Sequence, residues 1–262
     1  MSTRDEKMEA FGRILDIMDE LREKCPWDRE QTMESLRNLT IEETYELADA
    51  IIENDLDEIR TELGDLLLHI VFYAKIGEEQ SAFDITDVIN TVNEKLVFRH
   101  PHVFGERKVS GSKEVVSNWE ELKMKENNGT KRVLSGVPKS LPALIKAHRM
   151  QDKARAVGFD WAHPEDVWNK VSEEIDEVRK EVEGGNREKI EKEFGDLFFS
   201  IVNAARLFNV EPETALERTN MKFMQRFNYI EAHARSNGKS IKEMPLEEME
   251  VLWEEAKQKE TL

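Results

Sequence analysis

The chain has 262 residues, 39% of them hydrophobic and 35% charged, and a formal net charge of −17. A field of that sign repels nucleic-acid backbones and anionic membranes, so neither is an expected partner. The single cysteine, Cys25, excludes an internal disulfide framework, and no run approaches the roughly 18 apolar residues that span a bilayer. With a charged, amphipathic stretch from Met1 to Lys24 in place of a secretory h-region, the expected location is cytoplasmic.

In chain order, Met8, Phe11, Leu15, Met18 and Leu21 recur at steps of three and four and predict a first amphipathic helix. A second is expected to begin near Thr40, where Thr40 and Glu43 have capping-box spacing, with an apolar stripe at Ile41, Ala48, Ile51 and Ile52. The third is predicted from Leu56 to Ile76, burying Ile59, Leu63, Leu66, Ile70 and Tyr73. A fourth is predicted from Ile85 to Phe98. No stretch alternates as a strand does, so the class is all-α.

The second half repeats the first. Ile41-Glu42-Glu43-Thr44-Tyr45-Glu46 returns as Ser172-Glu173-Glu174-Ile175-Asp176-Glu177, and Glu62-Leu63-Gly64-Asp65-Leu66 as Glu193-Phe194-Gly195-Asp196-Leu197, both at an offset of 131. Asn93, Lys95 and Arg99 return as Asn220, Lys222 and Arg226; Trp27 returns as Trp161, and Trp119-Glu120-Glu121-Leu122-Lys123 as Trp253-Glu254-Glu255-Ala256-Lys257. The expected layout is a first unit over residues 1–126, a linker over 127–140 and a second unit over 141–262.

Residues three apart on a helix share a face. Glu43 and Glu46 on one helix and Glu62 and Asp65 on the next can therefore converge, as can Glu174, Glu177, Glu193 and Asp196. Gathered carboxylates raise one another's pKa unless a cation neutralises them, and an all-oxygen set favours Mg2+ or Mn2+ over zinc. On pattern alone, a cation site and a solvated acidic face both remain open. A non-enzymatic acidic scaffold also explains charge and repeat. A di-iron bundle wants Glu-x-x-His pairs that are absent here, and no EF-hand loop occurs.

Glu-Glu-x-x-Glu followed by Glu-x-x-Asp, at Glu42, Glu43, Glu46, Glu62 and Asp65 and again at Glu173, Glu174, Glu177, Glu193 and Asp196, resembles the signature of the MazG family of nucleoside triphosphate pyrophosphohydrolases. Cys25-Pro26-Trp27-Asp28 and the two-copy layout extend the resemblance across the chain. It implies two tandem four-helix units related to dimeric dUTPases, assembled as a homodimer. It also implies Mg2+-dependent hydrolysis of ribo- and deoxynucleoside triphosphates to a monophosphate and pyrophosphate, with Mn2+ a possible substitute, in nucleotide-pool control. Glu174, Glu177, Glu193 and Asp196 would hold the metal, with Glu43, Glu46, Glu62 and Asp65 as the second candidate set, and Glu173 would serve as the catalytic residue that handles the water. Substrate contacts would come from Lys170, Glu173, Glu174, Lys189, Lys192, Asp196, Lys222 and Arg226, with Trp253 stacking on the base. Leu39, Glu58 and Thr61 stand where the second copy has Lys170, Lys189 and Lys192, so the second copy is the expected catalytic one.

Plainer expectations attach to other residues. Trp27 and Trp161 are expected to plug the core, Cys25 to pack, and His100-Pro101-His102 to serve in a loop or at a helix end.

Overall fold

A computed structural model of the chain describes residues 1–111, 114–115, 118–119, 122, 132–161 and 163–259. The chain divides into two compact units, Met1–Lys123 and Met124–Leu262. Of the linker expected over 127–140, residues 127–131 lie outside the described residues, and Val133–Gly136 forms a 3-10 turn.

The first unit holds α1 (Arg4–Lys24), α2 (Pro26–Glu30), α3 (Met33–Glu53), α4 (Leu56–Glu79), α5 (Ile85–Arg99) and α6 (Pro101–Phe104). The second holds α7 (Ala143–Ala156), α8 (Val167–Gly184), α9 (Arg187–Leu207), α10 (Pro212–Ser236) and α11 (Leu246–Lys259). Every regular element among the described residues is helical, as the sequence predicts.

Both repeats centre on a helical hairpin closed by the same kind of turn. Asn54 ends α3 in the left-handed region at φ 59°, and Asp55 then accepts from the Asp57 and Glu58 amides to start α4. In the second unit Gly185 does the former at φ 70° and Asn186 caps α9 through the Lys189 amide. Glycine and asparagine reach that conformation at little cost, and a connection this short makes α3–α4 and α8–α9 antiparallel.

Two predicted details need correction. The second helix starts at Met33, seven residues before Thr40, because Thr32 and Ser35 form the capping box. Thr40 lies inside α3, where its hydroxyl bonds the Leu36 carbonyl and the side chains of His69 and Tyr73. The predicted inner faces are also turned. Ile41, Ile51, Leu63 and Ile70 are 42–57% exposed within the unit, whereas Val71, Phe72 and Ile76 pack with Met18 and Leu36. From Leu66 to Tyr73, α4 is apolar on nearly every side except His69, so periodicity cannot say which face turns inward.

The second unit has a core of Val167, Val171 and Ala204 beneath the α8–α9 hairpin. A separate one, of Ile230, Ala234, Met244 and Leu252, lies between α10 and α11.

Candidate active site

Because α8 and α9 are antiparallel and their acids are three apart, carboxylates from both helices meet. Ligand oxygens of Glu174, Glu177 and Glu193 lie within 4.8 Å of one another. Glu174 is 5% exposed. Its Oε1 lies 2.8 Å from Lys170 Nζ, and its Oε2 is buried with no hydrogen-bond partner. Lys170 Nζ also donates to Glu173 Oε1 at 3.0 Å. The hydrogen bonds to Glu174 and then Glu173 hold the Lys170 ammonium above the ordinary lysine range, so it is charged at every working pH. Lys192 Nζ sits 3.3 Å from Glu193 and 3.5 Å from Asp196, keeping Asp196 beside the cluster although outside its closest three. Burial first, and then the charges of Glu174 and Glu193, push the Glu177 carboxyl up.

The first unit also gathers three acids, Glu43, Glu62 and Asp65, whose counterparts are Glu174, Glu193 and Asp196, so its third member is the aspartate where the second unit has Glu177. Glu62 is 4% exposed and its Oε2 is likewise unpartnered. Burial, followed by repulsion from Glu46, Glu58, Glu43 and Asp65, pushes its carboxyl up to about 7. Glu46 lies outside the closest three, and its carboxyl is also raised, by burial and then by Glu43. Among the described residues no lysine pairs with this cluster as Lys170 does with the other. Leu39 and Thr61 occupy the matching positions.

An unpartnered, buried carboxylate oxygen is costly, and a hard divalent cation satisfies it. Both clusters therefore fit a metal.

The remaining predicted contacts divide. Lys189 pairs with Glu181 at 3.7 Å. Arg226 on α10 stands 5.2 Å above the indole of Trp253 on α11, with Phe223 5.2 Å from the same ring, and Lys222 lies one turn before Arg226 on α10. Arg99 stands 5.0 Å above Trp119 in the first unit, so this stack recurs there although Lys170, Lys189 and Lys192 do not. The rest of the Trp119 motif, at residues 120, 121 and 123, lies outside the described residues. His100 caps the end of α5 and bonds the Leu96 carbonyl, the helix-end role expected of it.

Beside Glu174, Asp196 and Lys170 opens a cavity of about 840 Å³. Its walls include Phe159, Trp161, Val167 and Phe199, with Gln151 and Asn203 as polar points. The two tryptophans expected to plug the core do not: Trp27 is 56% exposed and Trp161 lines this cavity. Trp161 is held by its loop, since Asp160 accepts its amide and binds Arg206. Nothing in the sequence marks Gln151. Only tertiary packing brings it beside this cavity, where its Nε2 donates to the Phe199 carbonyl.

The family model of the MazG nucleotide pyrophosphohydrolase domain matches residues 31–104 and 163–230. A protein of Thermotoga maritima named nucleoside triphosphate pyrophosphohydrolase/pyrophosphatase MazG is 45% identical, over 94% of this chain and 95% of its own length. An Escherichia coli K12 nucleoside triphosphate pyrophosphohydrolase is 41% identical, over 97% and 99%. The crystal structure of a mazG-related protein from Thermotoga maritima covers 43% of this chain and 97% of its own, at 31% identity and a TM-score of 0.39.

Proposed function

The chain belongs to the MazG nucleotide pyrophosphohydrolase family, and we propose that its second unit hydrolyses nucleoside triphosphates, ribo and deoxy, to a monophosphate and pyrophosphate. The observation that carries this reading is Glu174, whose buried, unpartnered oxygen lies in a cluster of acids with Lys170 beside a largely apolar cavity. A metal-bound polyphosphate matches the charged cluster.

Glu174, Glu177, Glu193 and Asp196 would hold Mg2+, with Mn2+ as substitute, which neutralises phosphate oxygens and the departing pyrophosphate. Lys170 and Lys192 stand at the same acids and can transfer their hydrogen bonds to phosphate oxygens. Glu173, exposed and steadied by Lys170, orients the water. The water oxygen bonds the α-phosphorus, the bond to the bridging oxygen breaks, and its electron pair leaves with pyrophosphate. Glu173 takes the proton.

The first unit keeps the acids without the lysines, and its part is weaker or structural. The apolar faces left open by single units fit a homodimer: Phe198, Phe223 and Met224 are 54–57% exposed. In such a dimer Lys189, Lys222, Arg226 and Trp253 reach substrate only if assembly brings them to the acids.

Chelation tests the metal's place in this reading. EDTA is expected to stop monophosphate formation from any triphosphate, and Mg2+ or Mn2+ in excess to restore it. Turnover that persists in EDTA refutes it.

A further inference from the structure

We propose that Lys170 is a built-in counter-ion that keeps the acids of the second unit closed to free metal, so that their cation enters only together with the triphosphate, whereas the first unit, which lacks this lysine, takes a free cation. This rests on the second unit being the site of triphosphate hydrolysis. Lys170 Nζ lies 2.8 Å from Glu174 Oε1 and donates to Glu173 Oε1 at 3.0 Å. The ammonium thus occupies one oxygen of the most buried acid of the set. Lys192 Nζ sits 3.3 Å from Glu193 and 3.5 Å from Asp196. Two ammonium groups therefore already stand against the carboxylates of Glu174, Glu177, Glu193 and Asp196.

The helix itself gains little from Lys170. It is the fourth residue of α8, near the positive end of the helix dipole, which disfavours a cation. A lysine four residues before a glutamate is also the weaker order for a helical ion pair. A free divalent cation must break the 2.8 Å pair with Glu174 and then lie beside the displaced ammonium, whose charge repels it. A triphosphate removes that obstacle, because its oxygens accept from the ammonium as Lys170 turns on its flexible stem. The side chain is 37% exposed and has room to turn. The same movement frees Glu174 Oε1 for the cation and Glu173 Oε1 for the water, so both are released only when substrate is present.

The first unit supplies the comparison within the same chain. Leu39 stands where the second unit has Lys170, and Thr61 where it has Lys192. Oxygens of Glu43, Glu62 and Asp65 lie within 4.8 Å of one another, and Glu62 is buried with its Oε2 unpartnered. Arg60, the cation nearest to them in sequence, pairs with Asp57 instead. With no lysine of its own to satisfy these carboxylates, the cluster draws its cation from solution.

The test counts Mn2+ bound per chain by calorimetry in the absence of nucleotide. The wild type is expected to take one tight Mn2+, which Glu62→Gln loses and Glu174→Gln keeps. Lys170→Met should admit a second, binding at the acids of the second unit at least about tenfold more tightly than in the wild type, because a neighbouring like charge has been removed. Lys170→Arg keeps that charge and should stay closed. With its first unit loaded, the wild type should then take one Mn2+ complex of the α,β-methylene analogue of ATP, and Glu174→Gln none; refusal of the complex by the wild type is scored against the enzymatic reading alone. Two tight sites in the nucleotide-free wild type, a tight site that survives Glu62→Gln, or a Lys170→Met variant that binds no more Mn2+ than the wild type would each overturn the proposal.

Discussion

Glu174→Gln is expected to lower the rate of monophosphate formation about a thousandfold, while Glu62→Gln leaves it within about threefold. A metal site supplies several kcal/mol of charge stabilisation in the transition state, and about 4 kcal/mol corresponds to that thousandfold loss. The substitution keeps the size of Glu174 and removes the charge that both Lys170 and a cation need. Glu62, the counterpart of Glu193, is the buried acid of the first unit, where Leu39 and Thr61 stand in place of Lys170 and Lys192. Steady-state rates of the two variants decide the assignment, and the reverse order of loss would place the chemistry in the first unit. Glu62 also has a pH signature. In the metal-free protein the Glu62 carboxyl titrates near 7 instead of 4.5, so folding becomes less favourable as pH rises through that interval. Glu62→Gln should remove this fall in melting temperature, and added Mg2+ should oppose it.

Asp160→Ala is expected to destabilise the second unit by about 3 kcal/mol, the lower end of what an unpaired buried charge costs. The Arg206 side chain is only 6% exposed, and without Asp160 its guanidinium retains Asn203 as its hydrogen-bond partner. In a unit of this size that loss lowers the melting temperature by roughly 10 °C. The double variant Asp160→Ala/Arg206→Met removes the stranded charge and should recover most of it. Calorimetry of both variants checks the ordering; equal melting temperatures would show that the pair contributes little. Burial raises the Asp160 carboxyl, but the Arg206 hydrogen bond and the Trp161 amide outweigh it and hold it below the usual aspartate range. Its contribution is therefore complete above the ordinary value of 3.8 and is lost as pH falls through the lower folded one.

The helices and the acid clusters were legible because both are written at fixed spacing. Glu174 and Glu177 need only one turn of helix, and Glu193 joins them through a two-residue turn marked by Gly185 and Asn186. The inner face of α4 was not legible, since residues that could serve as core lie on nearly every side of it. The start of α3 was missed because Thr40-Glu43 mimics the capping box that Thr32 and Ser35 form. The cavity was least legible of all. Trp161 looked like a core residue because tryptophan is large and apolar, and its place at the cavity depends on Asp160 meeting Arg206 across 46 positions. Gln151 stands 48 positions before its partner, Phe199, a separation that carries no local signal.

The central claim is tested most directly by the identity of the products. Purified protein is incubated with each ribo- and deoxynucleoside triphosphate, with and without Mg2+, and the nucleotides and phosphates released are separated and counted. Monophosphate and pyrophosphate in equal amounts, formed only with the metal, are the predicted result. Diphosphate and orthophosphate would contradict it, because they mean cleavage at the terminal anhydride.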